Sequence, residues 1–384
     1  MAGRTVVVLG GGSGGIVVAR RLRRLLDRSD RVVIIEREAT YRFAPSFLWV
    51  MTGARRPEQV GRDLARLGRH GIEVHRAEIL EIDPEHRRIK TSEAELGYDA
   101  LVVSLGAELA PDALPGFAEG AHNIYTLEGA LHAGAALRRF EGGNVVVLVS
   151  RLPYKCPAAP YETALLAEAM LRRRGVRDRS RIDVYTPELL PMPTAGPVLG
   201  EALRGMLEER GIGFHPENSV ERVDPKGGQI FLAGGERVMC DLLLGVPPHR
   251  APQVVRDSAL AGETGFVPVD PATLATTVEG VYAIGDVTTI PIAGGKFLPK
   301  AGVFAHAEAE VVAERVAAEL GGRTSSATFD GRGACFVELG DGRAAYATGD
   351  FYAGEAPEVH LRRPGRRWHL AKVAFEKYWL RRWL

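Results

Sequence analysis

Several kinds of sequence feature are scarce or missing, and each absence narrows the reading. No run reaches the ~18 consecutive apolar residues of a membrane-crossing helix. Cysteine is scarce: Cys156, Cys240 and Cys335 are the only three in 384 residues, which excludes a scaffold built from disulfides. The ten histidines follow no metal-ligand spacing, so no metal is expected, and His249 and His306 read as structural or surface residues. Neither sign of charge is in excess. With a net +1 the molecule as a whole does not read as an obvious nucleic-acid binder. Repeats and low-complexity tracts are also missing. The first strand begins at Thr5 and runs straight into a glycine turn, leaving no room for a secretory leader, so a cytoplasmic-face location is expected.

What is present begins with that turn. In Thr5-Val-Val-Val-Leu-Gly-Gly-Gly-Ser-Gly-Gly-Ile16 an apolar strand stops at Gly10. The glycines fall as Gly10-x-Gly12-x-x-Gly15, with Ser13 and Gly14 between, and a helical pattern follows. Gly10 permits a tight turn, Gly12 lets backbone approach a pyrophosphate, and Gly15 lets helix and strand pack closely. The first helical turn offers free N–H groups to the anion. A second strand, Arg31–Ile35, leads into Glu36 and Arg37. Glu36 stands 21 residues past Gly15, where the ribose-binding acid of such a unit belongs. Further on, Gly280-Val-Tyr-Ala-Ile-Gly-Asp286 is a short strand ending in a carboxylate. Gly285 allows close approach and Asp286 can accept hydrogen bonds from ribityl hydroxyls, which makes the expected dinucleotide FAD. Pro45 and Ser46, Glu78 and Ile79, and the turn Ser104–Gly106 are assigned to the cofactor's surroundings. Lys300, opening the helix after Asp286, is placed near the flavin ring or a quinone oxygen.

A second β-α-β unit starts at Asn144-Val-Val-Val-Leu-Val149 but lacks the glycines. Ser150 is followed by Arg-Leu-Pro-Tyr-Lys-Cys-Pro-Ala-Ala-Pro-Tyr-Glu162, a backbone that no pyrophosphate can approach closely. Cys156 sits there at a helix mouth, with Pro160 and Glu162 suited to the first turn. That position, with Lys155 beside it, predicts a lowered thiol pKa. Cys240 reads as core. Cys335 lies on a probable strand, and nothing in spacing pairs it with Cys156 across 179 positions.

The fold class is therefore α/β: tandem Rossmann-like dinucleotide-binding domains with a small C-terminal β plus amphipathic-helix region. The expected domains are a discontinuous FAD-binding domain (1–113 and 262–322), a second Rossmann-like domain without its NAD site (114–261), and a C-terminal region (323–384). The last 24 residues carry eight Lys or Arg and one acid, while the rest carries 41 basic and 47 acidic residues. Trp368, Phe375, Tyr378, Trp379 and Trp383 alternate with those cations, the composition of a helix lying in a membrane interface.

On these residues the sequence resembles the sulfide:quinone oxidoreductases, two-dinucleotide-domain flavoproteins related to flavocytochrome c sulfide dehydrogenase. The most specific segments are Phe43-Ala-Pro-Ser46, Cys156-Pro-Ala-Ala-Pro-Tyr-Glu162, Pro299-Lys-Ala-Gly302, Ala334-Cys-Phe336 with Gly340-Asp341, and His369-Leu-Ala-Lys-Val-Ala-Phe-Glu-Lys-Tyr378. The resemblance implies a redox pair, Cys156 with Cys335, on one face of FAD, with Glu162 and Lys300 among the catalytic residues. Sulfide would attack the disulfide or its polysulfide-bridged form, one cysteine would carry the persulfide, and Cys335 would attack the flavin. A membrane quinone would take the electrons on the opposite face, near Lys300. Two positions depart from the family. Tyr125 stands where many members have a third active cysteine, which bears on sulfur-chain length. Arg42-Phe-Ala-Pro replaces the cysteine that binds FAD covalently in some flavocytochromes, so non-covalent FAD is expected. The chain stops at Leu384, short of the membrane-binding extension of many quinone enzymes, so weaker attachment is expected. A homo-oligomer is compatible with the sequence. The rival readings are a flavoprotein donating to a cytochrome partner, a type II NADH:quinone oxidoreductase, and a flavin-bearing sensor without turnover.

Overall fold

A computed structural model describes residues 3–384. Two five-stranded sheets, parallel throughout, carry the molecule. In the first, spatial order places strands 281–283, 100–103, 5–9, 31–35 and 73–75 side by side. In the second the order is 122–123, 242–246, 143–149, 180–185 and 212–215. The central strands, Val6–Leu9 and Val145–Val149, are buried along their length, as β-branched runs covered on both faces must be. The last strand of the first sheet, Val281–Ala283, comes from far along the chain and delivers Gly285-Asp286 to the end of the sheet where the glycine turn lies.

Helix Ser13–Leu25 follows the glycine turn and packs against helix Gly302–Leu320. Helix Ala159–Arg173 follows the second sheet's central strand, Gly143–Val149, and is buried through its first thirteen residues. A three-stranded antiparallel sheet, Arg332–Gly340, Arg343–Asp350 and Glu358–Gly365, then leads into the terminal helix Arg366–Arg382. No helix among the described residues is long and apolar enough to cross a membrane.

After the strand Thr40–Arg42 the chain forms a single 3-10 turn, Ala44–Ser46, followed by the short helix Phe47–Met51. One expectation changes. The terminal helix is not a free amphipathic segment. Trp379, Leu380 and Trp383 are buried, and Trp379 stacks on Tyr41 at 4.8 Å and packs against Phe43. Burial of those two tryptophans fixes the helix to the body and leaves Leu370, Phe375 and Tyr378 exposed.

Candidate active site

The glycine turn is built for close approach. Gly10 has φ +96° and a side chain there would strike the Ser104 carbonyl oxygen at 2.5 Å. A Cβ on Gly15 would meet the Gly10 carbonyl oxygen at 1.9 Å, whereas one on Gly12 would meet nothing within 4 Å. The turn is thus locked against its own strand at Gly10 and Gly15 and open at Gly12, where a pyrophosphate belongs. The helix has no acidic residue in its first turn and no side-chain cap, so its first N–H groups and positive end are free for an anion. Glu36 accepts from the Gly11 N–H at 2.7 Å and from the Glu38 N–H at 2.9 Å, which holds its carboxylate beside the turn. The Ala77 N–H donates to the Glu36 carbonyl, bringing Glu78 and Ile79 alongside. Ser104 Oγ and Ile284 both lie 3.0 Å from where a Cβ on Gly14 would be.

Asp286 supplies the test of fit for a flavin. Its Oδ1 is buried with no hydrogen-bond partner, and burial pushes its pKa up, against the pull of Lys155 and Lys300. An orphaned buried acceptor costs roughly 1–3 kcal/mol, and ribityl hydroxyls would satisfy it. The residues present fit FAD. Lys300, expected near the flavin ring or a quinone oxygen, is bound to the turn that carries Asp286. Its ammonium donates to the carbonyls of Asp286 and Thr288, both at 2.8 Å, and lies 3.7 Å over the Phe266 ring. Burial pulls its pKa down to about 8. Ser46 is also committed elsewhere: its hydroxyl donates to Glu376 of the terminal helix at 2.5 Å. Arg37 and Pro45 are exposed, and Gly106 takes φ +68° after Ser104.

Cys156 occupies the loop where the second glycine turn would be. It takes φ +50°, a conformation that costs a non-glycine residue ~1–3 kcal/mol. Three bonds hold it there: its N–H donates to the Lys300 carbonyl at 2.7 Å, and its carbonyl accepts from the Ala159 N–H and from the Tyr125 hydroxyl at 3.1 Å. Tyr125, at the position of the missing third cysteine, therefore buttresses the loop. Cys335 sits on strand Arg332–Gly340, and its thiol points to the Phe336 carbonyl at 3.3 Å.

Both thiols are free and half-buried, and both face the same buried ion pair. Lys372 Nζ donates to Glu162 Oε1 at 2.8 Å, and that same oxygen accepts from the Glu338 N–H at 2.7 Å. The Glu338 carboxylate in turn meets His369 Nδ1 at 3.0 Å. Glu162, Glu338 and Lys372 are all buried. Burial pulls the Lys372 pKa down, but Glu162 and Glu338 more than offset it and the net shift is upward. Here the expected thiolate-prone Cys156 is corrected. Desolvation, then the Glu162 carboxylate, pushes its thiol well above the ordinary range, and the same causes push Cys335 up to about 12. The helix mouth is real, but loss of water and a neighbouring anion outweigh it; Lys372 is the group that pulls both thiols down. Lys372 and Glu338 are not among the site residues that the sequence points to. The signal for Lys372 lay in the segment His369–Tyr378, where it looked like one more cation of a basic tail.

The second sheet's nucleotide position is filled by the chain itself. Glu188, just past strand Ser180–Tyr185, accepts from the Tyr154 hydroxyl at 2.9 Å and from the Tyr161 hydroxyl, with Thr186 at 3.2 Å. Burial raises its pKa to about 7. Both tyrosines come from the segment that replaces the glycines. His249 packs edge-on to Tyr125 at 5.3 Å and is pushed down to about 3, first by burial and then by Lys155. Cys240 is buried.

Two parallel nucleotide-type sheets, one glycine turn, a strand-end aspartate and two thiols that share the field of one buried ion pair describe a flavin-type disulfide oxidoreductase frame. The chain belongs to the pyridine nucleotide-disulphide oxidoreductase family, which matches residues 4–309. Within it, the mitochondrial sulfide:quinone oxidoreductase of Mus musculus is 26% identical over 366 residues, covering 91% of this chain and 78% of that protein. The crystal structure of the sulfide:quinone oxidoreductase from Aquifex aeolicus superposes with a TM-score of 0.90 at 25% identity, covering 99% of this chain and 91% of that one. An NADH dehydrogenase-like protein of Mycobacterium tuberculosis is 28% identical over a shorter 237 residues, 58% of this chain and 56% of that protein.

Proposed function

We propose that this protein oxidises sulfide to zero-valent sulfur through Cys156 and Cys335, with non-covalently bound FAD and a membrane quinone as acceptor. The observation that carries the reading is that two half-buried free thiols, Cys156 in the loop that lacks nucleotide-binding glycines and Cys335 on strand Arg332–Gly340, both feel one buried Lys372–Glu162 pair. FAD, when bound, would supply a two-electron relay between the sulfur side and the quinone. The chain's own residues do the rest. With the two cysteines joined, a hydrosulfide ion attacks the disulfide: the S–S bond breaks, Cys156 gains an S–SH, and Cys335 leaves as thiolate with the electron pair. Lys372 offsets the cost of that buried thiolate, which burial alone would oppose. Per turnover, hydrosulfide, one proton and quinone give zero-valent sulfur and quinol. Glu162, fixed between Lys372 and the Glu338 N–H, is the carboxylate whose charge both thiols feel. Lys300 holds the turn that presents Asp286. Tyr125 fills the third-cysteine position, so the sulfur chain is limited to what two cysteines can hold.

A type II NADH dehydrogenase is disfavoured because Tyr154 and Tyr161 already occupy the acid that would hold the NAD ribose. The test is turnover of a soluble quinone by the flavin-loaded protein. Sulfide should drive quinone consumption and NADH should not; NADH-driven turnover without sulfide activity would overturn the proposal.

A further inference from the structure

One buried carboxylate beside the flavin turn has no part in the chemistry above. Glu308 lies in the second turn of helix Gly302–Leu320 and is 1% exposed. Its Oε2 accepts from the Gly285 N–H at 2.6 Å. Gly285 takes φ +76°, and a Cβ there would meet the Ala305 Cβ at 3.1 Å, so the turn is pressed onto this same helix. Glu308 thus fixes the backbone that carries Asp286. Its other oxygen, Oε1, makes no hydrogen bond among the described residues. With Lys300, Gly285 and Thr288, Glu308 lines a cavity of about 10 Å³, room for a single water-sized group.

Three ionisable groups bear on Glu308. Burial is the strongest influence and raises its pKa to about 7; Asp286 raises it further, while the Gly285 N–H and Lys300 oppose the rise. Tyr352, after strand Arg343–Asp350, has its phenol pushed up by burial and then by Glu308, and its hydroxyl is held by the Pro271 carbonyl at 2.9 Å. A carboxyl group in this balance is tipped by any charge that arrives nearby, because a like charge disfavours its ionised form. An electron pair on a flavin bound at this turn is such a charge. Asp286 is reserved for the cofactor's hydroxyls, whereas Glu308 Oε1 is uncommitted.

We propose that Glu308 is a positioning residue for the flavin turn and also the group that takes up one proton when the flavin receives an electron pair. The proton comes from water and bonds to Oε1, while Oε2 keeps the Gly285 N–H. In turnover the pair comes from the sulfur side, and Glu308 gives the proton back to water when the quinone removes the pair. The inference rests on the FAD part of the reading above.

The test is the flavin midpoint potential of the flavin-loaded full chain, set with dithionite against redox dyes at pH values on both sides of about 7, for the wild type and Glu308→Gln. Glutamine keeps an acceptor for the Gly285 N–H and carries no titrating proton. Protons that the flavin itself takes up are common to both proteins and cancel in the difference. The two potentials should agree in acid, where Glu308 is already protonated. They should separate as pH rises, with the variant higher because it lacks the buried negative charge. A rise of about one unit in the Glu308 pKa on reduction is a tenfold change in the equilibrium, read as a separation of about 30 mV for a two-electron couple. Glu308→Leu removes the acceptor, and binding of FAD to the apoprotein should weaken about 10–100-fold. Potentials that differ equally at every pH, or not at all, overturn the proton uptake. FAD bound by Glu308→Leu as tightly as by the wild type overturns the positioning role. Glu308→Gln decides the proton whether or not the leucine variant folds. A wild type that binds no flavin overturns the FAD reading and this inference together. Because dithionite supplies the electrons, the result is independent of whether sulfide does.

Discussion

Removing Lys372 should destabilise the protein and move both thiols at once. The ammonium is 2.8 Å from Glu162, with side-chain exposures of 9% and 5%, so little solvent screens the pair. In Lys372→Met the Glu162 carboxylate keeps only the Glu338 N–H, and Glu338 keeps only His369. Stranding a buried charge in this way costs ~3–5 kcal/mol. Glu162→Gln should cost less, ~1–3 kcal/mol, because the amide oxygen still accepts and Lys372 still faces Glu338. The double variant should fall short of the sum by up to ~3 kcal/mol, the coupling expected of contacting partners. Urea unfolding followed by tryptophan fluorescence reads this directly, since Lys372 lies 5.1 Å over the Trp49 ring. The thiols give a second readout with opposite signs. Glu162 raises both and Lys372 lowers both, so alkylation of the reduced protein should shift to lower pH in Glu162→Gln and to higher pH in Lys372→Met. Strict additivity of the two unfolding costs, or alkylation profiles that move in the same direction, would refute the coupled site.

Other perturbations separate the parts of the account. Gly15→Ala forces a Cβ to 1.9 Å from the Gly10 carbonyl, a backbone clash with no flexible side chain to yield, so the purified variant should carry little flavin by its absorbance. Tyr125→Phe removes the 3.1 Å bond to the Cys156 carbonyl, worth ~1 kcal/mol; sulfide-driven reduction should slow several-fold at unchanged flavin content. Glu188 has a folded pKa raised to about 7 from 4.5, so its contribution is present below about pH 4.5 and lost as pH rises through 7. Glu188→Gln should flatten that decline, worth at most ~3 kcal/mol, in unfolding midpoints compared at acid and neutral pH. Trp379→Ala empties the packing against Tyr41 and Phe43 at a cost of ~3–5 kcal/mol, and limited proteolysis should then cut the terminal helix first.

How much of this was legible in the sequence follows the range of each interaction. The glycine turn and its strands depend on neighbours within a few tens of residues, and Gly10, Gly15 and Glu36 stand where their spacing put them. Gly285-Asp286 was legible because a strand-end carboxylate is a local pattern, although only the sheet order shows it beside the first turn. The Cys156 thiol was misjudged because its helix is local and its desolvation is not. Glu162 is six residues away in sequence and could be seen, but the Lys372 that it meets is 210 residues distant. The terminal helix shows the same limit: its cations and aromatics could be read from its sequence, but Tyr41, Phe43 and Ser46, the partners that hold it to the body, lie more than 300 positions earlier.

The most direct measurement is an anaerobic sulfide titration of the flavin-loaded protein, followed at the flavin absorbance, for the wild type, Cys156→Ser, Cys335→Ser and the double variant. Sulfide should bleach the wild-type flavin at stoichiometric amounts, and each serine variant should retain its flavin but lose the bleaching. Full bleaching by sulfide in the double variant, at the wild-type rate, would contradict the claim that these two thiols carry the electrons.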